Sequence, residues 1–137
     1  MTVVIYTDGG SRNNPGVSGA GAVIYDGTEK VAEVSQYLGI QTNNWAEYEA
    51  VALALAEAKR QGLGGENVEV RLDSKLVAEQ LSGRWKIKEP TLKPQAEKVR
   101  AFMPHFASIT FTFIPREKNV EADALANLAM DSAKQGA

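Results

Sequence analysis

Three strand-like runs come before the first helical segment, and this order limits the fold more than any other feature of the chain. The first, at 2–7, is a short run of β-branched and aromatic residues, and the other two lie at 20–25 and 31–40. Five of the twelve glycines, together with Pro15, lie between residues 9 and 21 and predict a turn there, and Asp26-Gly27 predicts a second turn. Strands with such short connections are expected to pair as an antiparallel meander.

Helical and strand-like segments alternate after the meander. Residues 44–61 are rich in alanine and leucine and predict a long helix that ends at Gly62. The later elements, in chain order, are a strand at 68–72, helices at 74–81 and 92–103, a strand at 109–114 and a helix at 120–129. A meander followed by this alternation predicts an α/β fold, with a mixed sheet and helices against its faces.

Length, charge and cysteine content narrow the class of protein. The 137 residues are enough for one domain, which we expect to span 1–137 and to be ordered to about 131, with a short C-terminal tail. The chain has no cysteine, which excludes disulfides and thiolate metal sites. Its start lacks a basic leader and a long apolar segment, so we expect a cytoplasmic protein without membrane association. The protein has a net charge of -2, so it would need a local basic patch or bridging metal ions to bind a polyanion.

Carboxylates stand at predicted strand ends and helix starts, where ligand sites of such sheets gather. Asp8 and Asp73 end predicted strands, and Glu47 and Asp123 lie in the first turns of predicted helices. Four carboxylates in one cleft would raise one another's pKa, and divalent cations relieve that repulsion. Oxygen ligands without a cysteine or histidine cluster favour Mg²⁺ or Mn²⁺ over zinc.

Each acid also has a purely structural interpretation. Asp8 precedes two glycines, as turn-forming residues do. Glu47 follows Asn44 by three residues, which is the spacing of a capping box. Asp73 is placed to cap the helix after it, and Asp123 to interact with a helix dipole. The residues alone leave both interpretations open.

Four segments resemble the four motifs of type 1 ribonuclease H. The first is residues 7–16, TDGGSRNNPG, which is long and specific. The others are residues 42–47, TNNWAE, residues 72–74, LDS, and residues 119–126, NVEADALA. They follow the family's order and are separated by the same elements, so the resemblance covers nearly the whole chain.

The resemblance implies a five-stranded sheet, with its first three strands antiparallel, in an endonuclease that cuts the RNA strand of RNA–DNA hybrids. Products with 5′-phosphate and 3′-hydroxyl ends are expected. The family's catalytic metal ligands fall on Asp8, Glu47, Asp73 and Asp123. They imply two Mg²⁺ ions about 4 Å apart, replaceable by Mn²⁺, one activating water and the other stabilising the leaving 3′ oxygen. Their charge would offset the negative cleft.

The resemblance also implies contacts to the hybrid. Ribose 2′-hydroxyls are sensed in a shallow minor groove, where glycine lets the backbone approach closely. The positions that match the family's ribose contacts are Gly10, Ser11, Asn14 and Asn43, with Glu47 also reaching a ribose hydroxyl. Thr42 matches a residue that holds a phosphate of the DNA strand. For Asn43 and Asn44 the structural alternative is helix capping.

Two segments depart from the best-known bacterial pattern. Some members carry a long basic protrusion where residues 83–90 form a short connection. Its Trp85, Lys86 and Lys88 are expected to follow a DNA backbone and stack a sugar, although Trp85 has the alternative of a core anchor.

The second departure is a missing histidine. Residues 115–119 read PREKN where the family has a loop histidine. Arg116 or Glu117 is expected to take its role, as in archaeal-like members, the alternative being a solvated charged loop. His105, the only histidine, is expected to be structural or exposed.

Three functions remain open after these observations. The first is cleavage of RNA–DNA hybrids by a monomer. The second adds RNA–RNA duplexes to the substrates, as archaeal-like members without the histidine allow. The third is a nucleic-acid-binding module with the same fold and no catalysis. All four acids are present, which favours an enzyme. A relative that handles DNA ends or integration is disfavoured because such a chain would lack the segment that reads the 2′-hydroxyl.

Overall fold

A five-stranded mixed sheet carries the helices in the computed structural model, which describes residues 2–135. Its strands are β1 (Val3–Arg12), β2 (Gly16–Asp26), β3 (Glu29–Gln41), β4 (Asn67–Leu72) and β5 (Ser108–Phe113). The helices are α1 (Asn43–Arg60), α2 (Lys75–Leu81), α3 (Lys93–Arg100) and α4 (Val120–Gln135). The strand order is β3-β2-β1-β4-β5, with β1, β2 and β3 antiparallel and with β4 and β5 parallel to β1. The predicted fold class is confirmed.

Alternation along β1 separates the two faces of the sheet. Val3 and Ile5 are fully buried in the main core, which they share with Val51 and Leu55 of α1. α4 packs on the opposite face, against β2, β1 and β3. β1 lies between β2 and β4 and contacts both α1 and α4, so residues of β1 can meet side chains from helices on both faces.

The turn predicted between residues 9 and 21 forms, but it lies beyond the glycines that follow Asp8. β1 continues through Gly9 and Gly10, and its pairing with β2 runs to Arg12. The chain reverses at residues 13–15, where Asn13 adopts a φ of 70°. Gly9 instead allows a close approach of two backbones, the other reason for glycine inside a strand. The prediction that Asp8 ends the first strand is therefore wrong.

Two helix boundaries also differ from the prediction. The helix expected at 92–103 is shorter, because α3 covers only Lys93–Arg100. A 3-10 turn lies on either side of it, at Pro90–Leu92 and at Met103–His105. α4 continues to Gln135, beyond the predicted end at 129. The last residues of the predicted C-terminal tail, 136–137, lie outside the described residues. Among residues 2–135, no helix combines the length and the apolarity needed to span a bilayer.

Candidate active site

The four predicted acids come together where the pairing of β1 with β4 ends. Asp8 lies inside β1, Glu47 in the first half of α1, Asp73 directly after β4, and Asp123 in the first turn of α4. All four line one cavity of about 490 Å³, together with Arg116. Side chains from four separate segments of the chain therefore face the same space.

Three of the acids form a tight cluster. Carboxylate oxygens of Asp8, Glu47 and Asp73 all lie within 4.8 Å of one another. Asp123 stands beside this group, on the wall of the same cavity. At such distances, ionised carboxylates repel one another strongly unless a proton or a cation lies between them.

Burial and mutual repulsion raise the pKa of the two most buried acids. Burial is the larger cause for Asp8, followed by the charge of Asp73 and the contact with Asp123, and together they raise its pKa to about 8. The pKa of Glu47 also lies well above its usual value, first because of burial and then because of the charges of Asp8 and Asp73. A hydrogen bond donated by the Gly9 main-chain N–H acts in the opposite direction on Glu47. The raised pKa values favour protonated carboxyl groups, and a bound cation would hold the same groups in their ionised form.

The cluster fits a divalent metal ion. The Oε2 atom of Glu47 is buried without a hydrogen-bond partner among residues 2–135, which is costly for a carboxylate oxygen. Its two neighbours in the cluster, Asp8 and Asp73, also present oxygen atoms, the ligands that Mg²⁺ and Mn²⁺ prefer. An ion bound among the three would satisfy the buried oxygen and offset the repulsion.

The structural interpretations based on helix capping are wrong for two of the acids. Thr42 is the N-cap of α1, and its hydroxyl accepts a main-chain N–H at 3.2 Å. The capping box expected from Asn44 and Glu47 therefore does not form. Ser74 caps α2 in the same way, at 3.2 Å, which leaves Asp73 facing the cavity.

Two glycines bring the helices close enough for the acids to meet, and the motif analysis missed this role. A Cβ atom on Gly9 would lie 2.1 Å from the main-chain oxygen of Ala46 in α1. A Cβ atom on Gly21 would lie 2.2 Å from the main-chain oxygen of Ala122 in α4. Each glycine thus allows one helix backbone to touch the sheet, one residue before that helix's acid. Glycine within an otherwise strand-like pattern was the available signal.

Residues expected to contact ribose form one hydrogen-bonded surface beside the acids. Gly10, Ser11 and Asn43 line the acidic cavity. The Ser11 main-chain N–H donates to Oδ1 of Asn43 at 2.7 Å, and the Asn43 N–H donates to Oδ1 of Asn14 at 3.0 Å. The side chain of Asn43 is therefore a link to β1 and not a helix cap. Asn14 and Thr42 line a neighbouring pocket of about 410 Å³.

The basic connection lies apart from the acids. Trp85, Lys86 and Lys88 line a separate cavity of about 590 Å³, which Asn44 also borders. Trp85 is 45% exposed, so the core-anchor interpretation is wrong. Asn44 also lines the cavity that holds the acids, so the two cavities are neighbours.

The two candidates for the loop role are placed differently. Arg116 lines the acidic cavity, whereas Glu117 is not among the residues that line it. His105 is exposed in a 3-10 turn, as expected, and its main-chain oxygen accepts a hydrogen bond from Gly65 at 2.8 Å.

Comparisons with known proteins agree with this geometry. A family model described as reverse transcriptase-like matches residues 6–129. A bifunctional protein of Mycobacterium tuberculosis is 46% identical over 139 residues, which cover 100% of this chain and 38% of that protein. Ribonuclease HI of Halobacterium salinarum is 41% identical, over 93% of this chain and 64% of its own length. The chain thus spans less than two thirds of the length of these curated relatives.

A solved structure shows the same fold. The crystal structure of LC11 ribonuclease H1 in complex with an RNA/DNA hybrid matches with a TM-score of 0.91 at 45% identity, covering 96% of this chain and 98% of that chain. The family match, the strand order and the four motifs agree. The chain therefore belongs to the type 1 ribonuclease H family, within the reverse transcriptase-like group.

Proposed function

We propose that the chain is an endonuclease that hydrolyses the RNA strand of RNA–DNA hybrids and leaves 5′-phosphate and 3′-hydroxyl ends. The observation that carries this proposal is the cluster of Asp8, Glu47 and Asp73, with Asp123 beside it, in a cavity that Gly10 and Ser11 also line. The names of the relatives support it, since one is a ribonuclease HI and one was solved with an RNA/DNA hybrid.

The acids would hold the metal ions. Asp8, Glu47 and Asp73 present their oxygens closely enough to share one ion, and Asp123 extends the set on the α4 side. Two Mg²⁺ ions, or Mn²⁺ in their place, would supply activation of the attacking water and stabilisation of the leaving 3′ oxygen. Because the metal-free cluster is strained by its own charge, uptake of cations and deprotonation of Asp8 are coupled.

Substrate recognition is assigned to the surface around the acids. The shallow minor groove of the hybrid would lie on Gly10, Ser11 and Asn43, where the absence of a side chain at Gly10 leaves room for ribose. Glu47 and Asn14 extend this ribose surface, and Thr42 is assigned to a phosphate of the DNA strand. The basic connection extends this surface. Its lysines would contact phosphates of the DNA strand, and Trp85 would stack on a sugar.

Cleavage of RNA–RNA duplexes is a second candidate activity. Arg116 lines the acidic cavity, in the loop where other members of the family have histidine. An RNA duplex offers the same kind of shallow minor groove with 2′-hydroxyls on both strands. A monomer would suffice for either substrate, because all four acids come from one chain.

The test is a comparison of labelled duplexes of one sequence. RNA–DNA, RNA–RNA and DNA–DNA duplexes are incubated with the chain in Mg²⁺, in Mn²⁺ and in a chelator. We expect RNA in the hybrid to be cut only with metal, at internal positions, giving 3′ ends that a polymerase extends. The RNA–RNA lane decides the second activity. Binding of the hybrid without cleavage in either metal would show a binding module and contradict the proposal.

A further inference from the structure

Asn119 lies between the 3-10 turn Arg116–Lys118 and α4, and it is buried although its side chain is polar. Only 1% of the residue is exposed. Its Nδ2 atom donates a hydrogen bond of 2.8 Å to the main-chain oxygen of Thr7, 112 residues away in the sequence. Thr7 belongs to the last pair of the β1–β4 register, opposite Leu72. The amide therefore joins the start of α4 to the end of the β1–β4 ladder.

The same residue also holds the main chain of the acid in α4. Thr7 directly precedes Asp8. The hydrogen bond from the Asn119 side chain therefore fixes the peptide group that joins Thr7 to Asp8. The main-chain oxygen of Asn119 accepts a hydrogen bond of 3.1 Å from the N–H of Asp123. Two hydrogen bonds through one residue thus connect the backbones of two acids that belong to different elements.

Stability alone does not explain an asparagine at this position. Its Oδ1 atom is buried with no hydrogen-bond partner in the described part of the chain, and the same is true of Oγ1 of Thr7. Leaving buried polar atoms unpaired costs free energy, which an apolar side chain of similar shape would avoid. The hydrogen bond that Asn119 does make is therefore expected to serve a geometric purpose.

The two acids need such a constraint. Asp8 and Asp123 line the same cavity, and their charges repel each other when both are ionised. Groups behind metal ligands fix the ligands' orientation, and their loss commonly weakens metal binding. We propose that Asn119 is a positioning residue whose bond to Thr7 holds Asp8 and Asp123 at the separation that a divalent cation requires. This inference rests on the proposed function, because it takes the two acids to share a cation.

The test measures binding of Mn²⁺ to the metal-free chain by calorimetry, in wild type, Asn119→Leu and Asn119→Ala. Leucine has nearly the shape of asparagine but cannot donate or accept, so it removes the bond while it keeps the site filled. We expect the Kd for Mn²⁺ to rise about 10- to 100-fold in both variants. The Tm of Asn119→Leu is expected to stay near that of wild type, which a purely structural role would not allow.

Kinetics give a second readout in the same variants. The KM for the hybrid is expected to be unchanged, while kcat at low Mn²⁺ falls and returns towards wild type at saturating Mn²⁺. Ser35→Ala is the matched control, because Ser35 Oγ donates a 2.7 Å bond to the main-chain oxygen of Leu125 and so links the sheet to α4 without touching an acid. Its Kd for Mn²⁺ should equal that of wild type.

The outcomes separate this inference from the proposed function. A folded Asn119 variant that binds Mn²⁺ as tightly as wild type would overturn the positioning role and leave the proposed function standing. Failure of wild type itself to bind Mn²⁺ would overturn both.

Discussion

Replacing Gly9 by alanine should separate the metal ligands while leaving their chemistry unchanged. The added Cβ would lie 2.1 Å from the main-chain oxygen of Ala46 and 2.5 Å from the main-chain nitrogen of Glu47. Both are backbone atoms of α1, so no side chain can rotate away. To reach an ordinary contact distance of 3.4 Å, α1 would have to retreat from β1 by about 1.3 Å.

That retreat sets the size of the expected effects. Overpacking of this kind costs about 1–3 kcal/mol of unfolding free energy, so Gly9→Ala should still fold at room temperature with a lower Tm. Glu47 moves with α1, away from Asp8 and Asp73. A displacement of about 1 Å at a catalytic group can lower the rate by about 100-fold, and we expect a loss of that order in kcat.

The assay pairs Gly9→Ala with Gly10→Ala, its neighbour in β1. A Cβ on Gly10 meets only the Cε atom of Met130, at 3.6 Å, so Gly10→Ala should keep the Tm and the Mn²⁺ affinity of wild type. Thermal unfolding and Mn²⁺ calorimetry are measured on both variants, and hybrid cleavage on Gly9→Ala. Wild-type Mn²⁺ affinity and cleavage in Gly9→Ala would refute the argument that this glycine places Glu47.

Four further predictions follow from the same contacts. In the metal-free chain, Asp8 has a pKa raised from 3.8 to about 8, so the folded form holds the extra proton and stability should fall as pH rises between about 4 and about 8. Thermal unfolding without metal should show this loss, and Asp8→Asn should reduce it to the part that Glu47, whose pKa is also raised, contributes; an unchanged slope in Asp8→Asn would assign the loss elsewhere. Lys86→Glu combined with Lys88→Glu should weaken hybrid binding and reduce the dependence of log K on log salt by up to about 2, whereas unchanged affinity and slope would remove the basic connection from the interface. Arg116→Ala should lower kcat for hybrid cleavage without changing the Tm, because the side chain is exposed and lines the acidic cavity, and wild-type kinetics would exclude it from the reaction. Thr42→Ala should cost about 0.5–2 kcal/mol through loss of the α1 cap, measured by urea unfolding, and a smaller loss would show that the cap is not stabilising.

Much of the fold could be predicted because its signals are local. The strands and helices follow from hydrophobic patterns, and three of the acids lie where the patterns placed them, Asp73 after a strand and Glu47 and Asp123 early in helices. Glycine was the main source of error. The glycine pair at 9 and 10 is typical of a turn, but Gly9 instead allows the backbone of Ala46, 37 residues later in the sequence, to approach closely. A sequence pattern does not distinguish these two uses of glycine.

The remaining differences concern hydrogen bonds that local spacing cannot assign. Asn44 and Glu47 have the spacing of a capping box, yet Thr42 caps α1 and Glu47 faces Gly9. Which of several polar residues caps a helix depends on where the chain enters it, and that is set by the packing of α1 on β1. The bond from Asn119 to Thr7 spans 112 residues, so no local pattern could reveal it.

Single-turnover cleavage of an RNA–DNA hybrid in Mg²⁺, by wild type and by Asp73→Asn, tests the central claim most directly. Asp73 belongs to the tight cluster but does not cap α2, so the substitution removes a metal ligand and leaves the fold intact. We predict that wild type cuts the RNA strand and that Asp73→Asn binds the hybrid but does not cut it. Cleavage by Asp73→Asn at the wild-type rate, or no cleavage by wild type, would contradict the assignment of this acidic cluster as a metal-dependent active site.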